Sequence, residues 1–130
     1  MATITNFEEL DIWKIARKLC QEVNKIITTT ALQNGYKLRN QINASSGSIM
    51  DNIAEGFERG GKNEFRQILS IAKGSCWESR SQLYRIYDRN YITNEIFESM
   101  RDETLLIGKK IGSFIKYLND TNYKGIKFKK

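Results

Sequence analysis

The sequence lacks residue types on which many enzymes depend. Histidine is absent from its 130 residues, which excludes imidazole bases, Ser-His-Asp triads, Glu-x-x-His di-iron sites and zinc sites that need imidazole. The two cysteines, Cys20 and Cys76, lie far apart in apolar segments, without the paired spacing of metal or redox motifs. We therefore predict free thiols and a non-enzymatic protein with no catalytic residues and no cofactor.

Proline is also absent, and no run of 18 apolar residues occurs. Without proline nothing interrupts long helices, and without a long apolar run no helix is expected to span a bilayer. The first ten residues have neither the basic segment nor the apolar core of a secretion signal. These absences favour a cytoplasmic, all-α protein with one domain and no membrane partner.

Apolar residues recur at helical spacing in four segments that are separated by turn signals. We expect helices over the following ranges: about 6–28, 36–59, 63–88 and 93–119. Asn63 and Thr93 are the expected caps of the last two helices. The residues of the first helix that should face the core are Leu10, Trp13, Ala16, Cys20, Val23 and Ile27. Because short connections force neighbouring helices to run in opposite directions, the prediction is an antiparallel up-down-up-down four-helix bundle over residues 1–123.

The predicted second helix carries two parallel stripes. The apolar stripe faces the core and consists of Leu38, Ile42, Ile49, Ile53 and Phe57. Beside it lies a candidate structural or oligomer motif, the polar stripe, which consists of Gln41, Ser45, Ser48, Asn52 and Glu55 and is followed by Gly56. Half-buried amides and hydroxyls need hydrogen-bond partners, so the polar stripe predicts a packed neighbour, either within the chain or in another copy. Gly108 and Gly112 would likewise let a neighbouring helix approach closely.

The predicted third helix carries a candidate nucleic-acid-binding edge, the basic stripe. Its members follow one another at steps of three, four or seven residues: Arg59, Lys62, Arg66, Lys73, Trp77, Arg80 and Tyr84. Lysine and arginine neutralise phosphates, and tryptophan or tyrosine stacks on unpaired bases. The alternative is that these residues border the core, with their aliphatic stems covering its edge and Trp77 filling a subunit contact.

Part of the formal net charge of +6 lies in a basic tail over residues 124–130. Its lysines, which are four of the 21 basic residues, are Lys124, Lys127, Lys129 and Lys130, so residues 1–123 hold 17 basic and 15 acidic residues. Their alternation with Ile126 and Phe128 fits an added strand, a membrane-surface anchor or a polyanion-binding arm. We expect a flexible end that adds nonspecific, salt-sensitive binding to nucleic acid.

Three carboxylates of the second helix share one side: Asp51, Glu55 and Glu58. Carboxylates at this spacing are able to hold a divalent metal. A solvated face or ion pairs between helices fit the same spacing, and we predict no metal site.

A set of residues along nearly the whole chain resembles a known family, the four-helix bundle proteins called 23S rRNA intervening-sequence proteins. The strongest motif is the segment Asn52-Ile53-Ala54-Glu55-Gly56. The other matching positions are Phe7, Leu10, Trp13-Lys14, Leu38, Gln41-Ile42, Ser48-Ile49, Phe65, Leu69, Ala72-Lys73-Gly74-Ser75, Glu78, Leu83 and Tyr91-Ile92. The sequence departs from the family pattern at Ala44, where arginine is common, and at Met50, where proline is common.

The resemblance implies an up-and-down bundle that assembles as a ring-shaped homopentamer and is encoded, in some bacteria, inside insertions in the large-subunit rRNA gene. A distantly similar pentameric bundle is an accessory factor of a reverse transcriptase in diversity-generating retroelements, where it binds nucleic acid and the polymerase.

Two functional hypotheses follow. The first is an oligomeric helical bundle that binds RNA or another nucleic acid through the basic stripe and the tail. The second is a structural or adaptor ring for a protein partner, similar to a reverse-transcriptase accessory factor, without direct binding of nucleic acid.

Overall fold

A computed structural model describes residues 4–120, which form four α-helices and two short 3-10 turns. The helices are α1 (Asp11–Thr29), α2 (Tyr36–Arg59), α3 (Lys62–Asp88) and α4 (Asn94–Asp120). The 3-10 turns, Phe7–Glu9 and Ala31–Asn34, precede α1 and α2. Residues 4–120 contain no β-strand, and the all-α prediction is confirmed.

The four helices pack in the antiparallel order that the short connections predict. α1 packs on α2 and α4, and α3 packs on the same two helices. Between neighbours, residue numbers rise along one helix as they fall along the other. The contacts that show this are Asp11–Lys110 and Lys18–Glu103 between α1 and α4, Ser45–Gln82 and Ser48–Ser75 between α2 and α3, and Arg66–Asn119 and Tyr84–Phe97 between α3 and α4. The pairs α1 and α4, α4 and α3, and α3 and α2 are therefore antiparallel, and the four helices run up, down, up and down in chain order.

The first α-helix begins later than the expected start at residue 6. The Glu9 carboxylate accepts hydrogen bonds from the backbone N–H groups of Asn6, at 2.9 Å, and Thr5, at 3.2 Å. These bonds cap a separate 3-10 turn and lower the pKa of Glu9, since they stabilise its charged form. Leu10, which follows the turn, has an extended backbone, so the α-helix starts only at Asp11.

A two-glycine link joins α2 to α3. Gly60 has a φ of 79°, in the left-handed region that glycine adopts at little cost, and its N–H bonds to the Phe57 carbonyl at 3.2 Å. Gly61 takes the position before the first residue of α3, Lys62. Asn63 therefore lies inside α3 and is not its cap, contrary to the sequence prediction, whereas Thr93 accepts a hydrogen bond from the N–H of Ile96 and caps α4 as predicted.

The core lies between the four helices and includes the whole apolar stripe of α2. In α1 the buried face is rotated from the predicted one. The residues that α1 buries are Ile12, Ala16, Leu19, Val23 and Ile26, whereas Trp13, Cys20 and Ile27 are only half-buried. In α4, Phe97 is buried and the neighbouring Ile96 is exposed. None of the helices within residues 4–120 is long and apolar enough to cross a membrane.

Candidate nucleic-acid interface

Three members of the basic stripe meet two lysines of α4 in a groove, the α3–α4 groove. Lys73, Trp77 and Arg80 form its α3 wall, and Lys109 and Lys116 come from α4. The remaining lining residues are small or uncharged: Thr104, Leu105, Gly108, Gly112 and Ser113. Among the described residues no carboxylate lines this groove, so no acid in its lining neutralises the four cations.

Two glycines of α4 form the floor of the groove. A Cβ atom at Gly112 would lie 3.2 Å from Lys73 Nζ, and one at Gly108 would lie 3.9 Å from Cys76 Cβ. The missing side chain at Gly112 leaves the space over which Lys73 extends. The contact of Gly108 with Cys76 joins α3 to α4 within one chain, and the absence of a side chain at Gly112 keeps the groove open between two cationic walls.

Trp77 contributes an exposed aromatic side chain to the groove. Its exposed fraction is 57%, and Lys73 Nζ lies 5.8 Å from the ring centroid. Leu105, on the α4 side, is 46% exposed. Water contact at two large apolar side chains costs free energy that burial against a partner would recover. The groove thus combines an apolar contact surface with positive charge.

The other positively charged members of the basic stripe lie outside the α3–α4 groove. Arg59 forms an ion pair with Glu55 at 2.8 Å. Arg66 donates hydrogen bonds to Asn63 and, at 2.7 Å, to Asn119 of α4, so it bridges α3 and α4 beyond Lys116. Lys62 is half-buried at the first residue of α3. The predicted edge is therefore divided between the groove and the α2–α3 turn.

Tyr84 lies beyond Arg80, where its ring packs edge-on against Phe97 with centroids 4.8 Å apart. The Arg101 guanidinium lies 5.5 Å from the same Phe97 ring. Tyr84 is thus bound to the border of the core, as the alternative interpretation of the basic stripe predicts for its members.

The four lysines of the tail, Lys124, Lys127, Lys129 and Lys130, lie outside the described residues. Their predicted binding role stays a prediction.

The polar stripe of α2 finds its partners on α3. Ser45 donates to Gln82 Oε1 at 2.6 Å and accepts from Ser79 at 2.8 Å. Ser75 donates to the Ser48 hydroxyl at 3.0 Å. Ser45, Ser75, Ser79 and Gln82 are buried, so these bonds satisfy groups that water does not reach. We call this set of paired hydroxyl and amide groups the α2–α3 seam. No second copy is needed to satisfy it.

The ends of the polar stripe bond differently. The Gln41 side chain accepts a hydrogen bond from Arg85 at 3.1 Å. Asn52 donates to the hydroxyl and the carbonyl of Ser48 within its own helix. Glu55, paired with Arg59, is exposed and takes no part in the seam.

Gly56 brings α3 against the last turn of α2. A Cβ atom at this position would lie 2.8 Å from Phe65 Cδ1 and 3.3 Å from Ile68. Contacts this short force a neighbour to move, so only glycine allows the two helices to pack as they do.

The two cysteines hold protonated thiols. Burial raises the pKa of Cys76 to about 12, against the weaker opposing effect of Arg80 and Lys73. Burial also raises the pKa of Cys20, whose thiol donates to the Ser46 carbonyl at 3.2 Å. A nucleophile or metal ligand needs the thiolate. Within residues 4–120 no group of three or more acidic or cysteine side chains is placed to hold a metal.

Glu22 of α1 and Glu103 of α4 form a carboxyl pair. Burial, followed by the hydrogen bond and charge of Glu103, raises the pKa of Glu22 to about 7. Glu22 Oε1 and Glu103 Oε2 are buried without a donor from any other described group. Two ionised carboxylates have no proton to donate to each other, so the pair is satisfied when it retains one proton. Lys18 offsets part of the remaining charge, 3.4 Å from Glu103.

Lys109 and Lys116 were missed by the sequence analysis. The sequence does place both lysines on one face of α4, because seven residues separate them. The same spacing separates Lys73 from Arg80 on α3. The pairing of the two walls depends on the register of α3 against α4, which the spacing within one helix does not contain.

Most of the chain is similar to known proteins. The sequence model of the family described as 23S rRNA-intervening sequence protein matches residues 8–113. A crystal structure of a protein with unknown function from the S23 ribosomal protein family of Bacteroides thetaiotaomicron VPI-5482 is similar, with a TM-score of 0.72 and 26% sequence identity, over 81% of this chain and 98% of that one. Among curated proteins, none matches the chain.

Proposed function

This chain belongs to the 23S rRNA-intervening sequence protein family, and from that premise we propose that it is a non-enzymatic helical bundle that binds RNA through the α3–α4 groove. The observation that carries the proposal is the composition of that groove. Four cations from two helices surround an exposed tryptophan, and no described acid lies in the lining. A polyanion is the partner that this charge favours, because lysine and arginine side chains neutralise phosphates.

The contribution of positive charge to RNA affinity is measured by how strongly that affinity depends on salt concentration. Each phosphate contact to a single strand contributes about 0.7 to the slope of log affinity against log salt concentration. Lys109 and Lys116 are exposed, so their replacement by glutamate should leave the fold intact. We expect the double variant to bind an rRNA fragment at least tenfold more weakly and to lower the slope by about 1.4 or more.

The matched control is the double variant Lys14→Glu with Lys37→Glu. Both lysines are exposed, on α1 and α2, outside the groove, and the change in net charge is the same. Equal loss of affinity in the two double variants would show that only total charge matters and would contradict a defined site. Deletion of residues 124–130 measures the tail in the same assay.

We also propose that the protein is a homo-oligomer, for which the family resemblance implies five copies. Exposed apolar side chains outside the groove, among them Tyr36, Ile71 and Leu106, supply surface for such contacts. Light scattering of the full chain should give a mass near five times 15.1 kDa. A mass of one chain at micromolar concentration would contradict this proposal.

The second candidate function is an adaptor for a protein partner. The exposure of Trp77 beside Leu105 favours it, because tryptophan is enriched among the residues that dominate binding energy at protein interfaces. Under this function Leu105→Ser would weaken association between proteins, and the Lys109 and Lys116 variants would leave RNA affinity unchanged.

A further inference from the structure

The α3–α4 groove has an order of charges that goes beyond a basic patch. Lys73 lies over Gly112, and Cys76 lies beside Gly108. The contact of Cys76 Cβ with Gly108 gives the register of the antiparallel walls, and the hydrogen bond from Arg66 to Asn119 agrees with it. This register places Lys116 about one helical turn from Lys73, on the side away from Cys76. The same register places Lys109 beside Cys76, between Lys73 and Arg80. Along the groove the cations therefore follow the order Lys116, Lys73, Lys109 and Arg80, on alternate walls.

Consecutive cations in this order are separated by about one helical turn. At 1.5 Å of rise per residue, the distance along the groove from Lys116 to Arg80 is about 16 Å. The two helix axes of such a pair lie only about 8 to 10 Å apart. A narrow line of charge with this length contacts one phosphate backbone, and the choice between a single strand and a duplex therefore depends on the side chains between the cations.

Trp77 lies within this line of charge. It follows Lys73 by one helical turn and precedes Arg80 by nearly one, and Leu105 lies on the opposite wall of the same groove. A backbone held by the cations would pass beside the exposed indole. Only an unpaired base has a free face to stack there, because base pairing and stacking in a duplex cover both faces.

We infer that the α3–α4 groove selects single-stranded RNA, with the phosphates on the four alternating cations and one base stacked on Trp77. The inference rests on the proposed function and adds the structural class of the ligand. Stacking is independent of base identity, so the groove takes unpaired segments of varied sequence.

The test compares one RNA of about ten nucleotides in three forms: single-stranded, annealed to its complement, and with abasic sites along the strand. We expect the single strand to bind at least about fivefold more tightly than the duplex or the abasic strand at the same salt concentration, which is the lower bound for one stacked base. Trp77→Ala should weaken binding of the single strand by about 5- to 150-fold, which is the range for one stacked base, and change duplex binding less than twofold. Trp77→Phe should retain most of the affinity.

A spectroscopic measurement gives a second readout. The chain has two tryptophans, and Trp13 is half-buried against Phe7, 5.2 Å between centroids. In the Trp13→Phe background all tryptophan fluorescence comes from Trp77. The single strand should quench it at saturation, and the abasic strand should not. The Trp13→Phe variant should bind the single strand as the parent does, since Trp13 lies on α1, outside the groove.

The comparison of duplex with single-stranded RNA tests the inference, and the Lys109 and Lys116 variants test RNA binding itself. Equal affinity for the duplex and the single strand, with the Lys109 and Lys116 variants still weakened, would overturn the inference and leave RNA binding intact. Affinity that the charge variants do not change would overturn RNA binding at the groove itself. A change of oligomeric mass in Trp77→Ala without a change in single-strand affinity would assign the groove to a protein contact and overturn the inference.

Discussion

The helix α3 has two sides that differ in nearly every physical respect. On one side the α2–α3 seam is buried, and its hydroxyl and amide groups are paired within the chain. On the other side the α3–α4 groove is open, with cations that no acid in the described lining neutralises and a tryptophan in contact with water. Polar residues at regular spacing therefore form a buried contact where the neighbouring helix of the same chain supplies their partners, and an exposed binding surface where it does not.

The strongest way to break the closed side is to fill Gly56. Gly56→Leu places a side chain where even a Cβ atom would lie 2.8 Å from Phe65 Cδ1. We expect the free energy of unfolding to fall by about 3 kcal/mol, because overpacking displaces well-packed neighbours. Chemical denaturation measures the change.

The control for that variant is Gly47→Ala in the same helix. A Cβ atom at Gly47 meets no other atom within 4 Å, so alanine should stabilise α2 by about 0.5 to 1 kcal/mol. Equal loss of stability at both glycines would mean that α2 tolerates no substitution and that the α2–α3 contact is not special.

A smaller effect is expected from opening the seam itself. Gln82→Leu removes the acceptor of the Ser45 hydroxyl, whose other acceptor is the Ile42 carbonyl at 3.4 Å. A buried donor left with a poor partner should cost about 1 to 2 kcal/mol. Arg80→Gln, two residues earlier on the groove side, should change stability by less than about 0.5 kcal/mol but weaken RNA binding. Denaturation and RNA titration of the two variants sharpen the comparison, and a seam variant that loses only RNA affinity would contradict it.

The contact of α1 with α4 differs from both the seam and the groove, because it holds a carboxyl group, that of Glu22, whose pKa is raised by burial. The pKa of Glu22 in the folded protein is about 7, above its ordinary value of 4.5. The folded state therefore binds the proton more tightly, and this contribution to stability is complete below pH 4.5 and is lost as the pH rises through about 7. The charged groups facing Glu22 are Lys18 and Lys25 on its own helix and Glu103 on α4.

Because Glu22 remains in partial contact with solvent, we expect the pH-dependent loss to be on the order of 1 kcal/mol, smaller than the full shift implies. Unfolding measured at a series of pH values should show it, and Glu22→Gln should remove most of the slope. Stability that increases over this range in the parent protein would exclude the shared proton.

The smallest expected effect is the reactivity of Cys76, which lies beside the groove floor at Gly108. Its raised pKa and burial should keep it unreactive toward a thiol reagent at neutral pH, at a rate no faster than global unfolding. Labelling followed by mass spectrometry measures the rate. Rapid labelling of Cys76 in the folded protein would show that the groove floor opens.

The number and direction of the helices were predictable, since the apolar stripe of α2 occupies one helical face and short links force antiparallel packing. The buried face of the first helix was predictable only in part. Leu10, Ala16 and Val23 are buried as predicted. The other buried residues, Ile12, Leu19 and Ile26, belong to a second apolar stripe beside the predicted one. Periodicity cannot choose between two overlapping stripes, and packing against α2 and α4 decides. The start of α1 depended on the extended backbone of Leu10, which separates the capped 3-10 turn from the α-helix and which helical periodicity does not reveal.

The candidate site was predictable only in part. Spacing along α3 grouped Lys73, Trp77 and Arg80, and these three do line one groove. The same spacing also grouped Arg66 and Tyr84 with them, although Arg66 bonds to Asn119 and Tyr84 packs on Phe97. Those partners come from another helix, so one helix considered alone does not reveal which cations remain available.

The two-glycine link at Gly60 and Gly61 has a consequence for the order of folding. Because α2 and α3 are joined by so short a connection, they pair with little loss of chain entropy, whereas the contact of α1 with α4 joins the two ends of the bundle and closes a long loop. We expect the α2–α3 hairpin to be formed in the folding transition state. Gln82→Leu should then slow folding in stopped-flow measurements. Ile12→Ala, which removes a buried side chain at the contact of α1 with α4, should act mainly on unfolding. The reverse pattern would place the folding nucleus at the contact of α1 with α4. The helix α3, which belongs to both the α2–α3 seam and the α3–α4 groove, would then pack last.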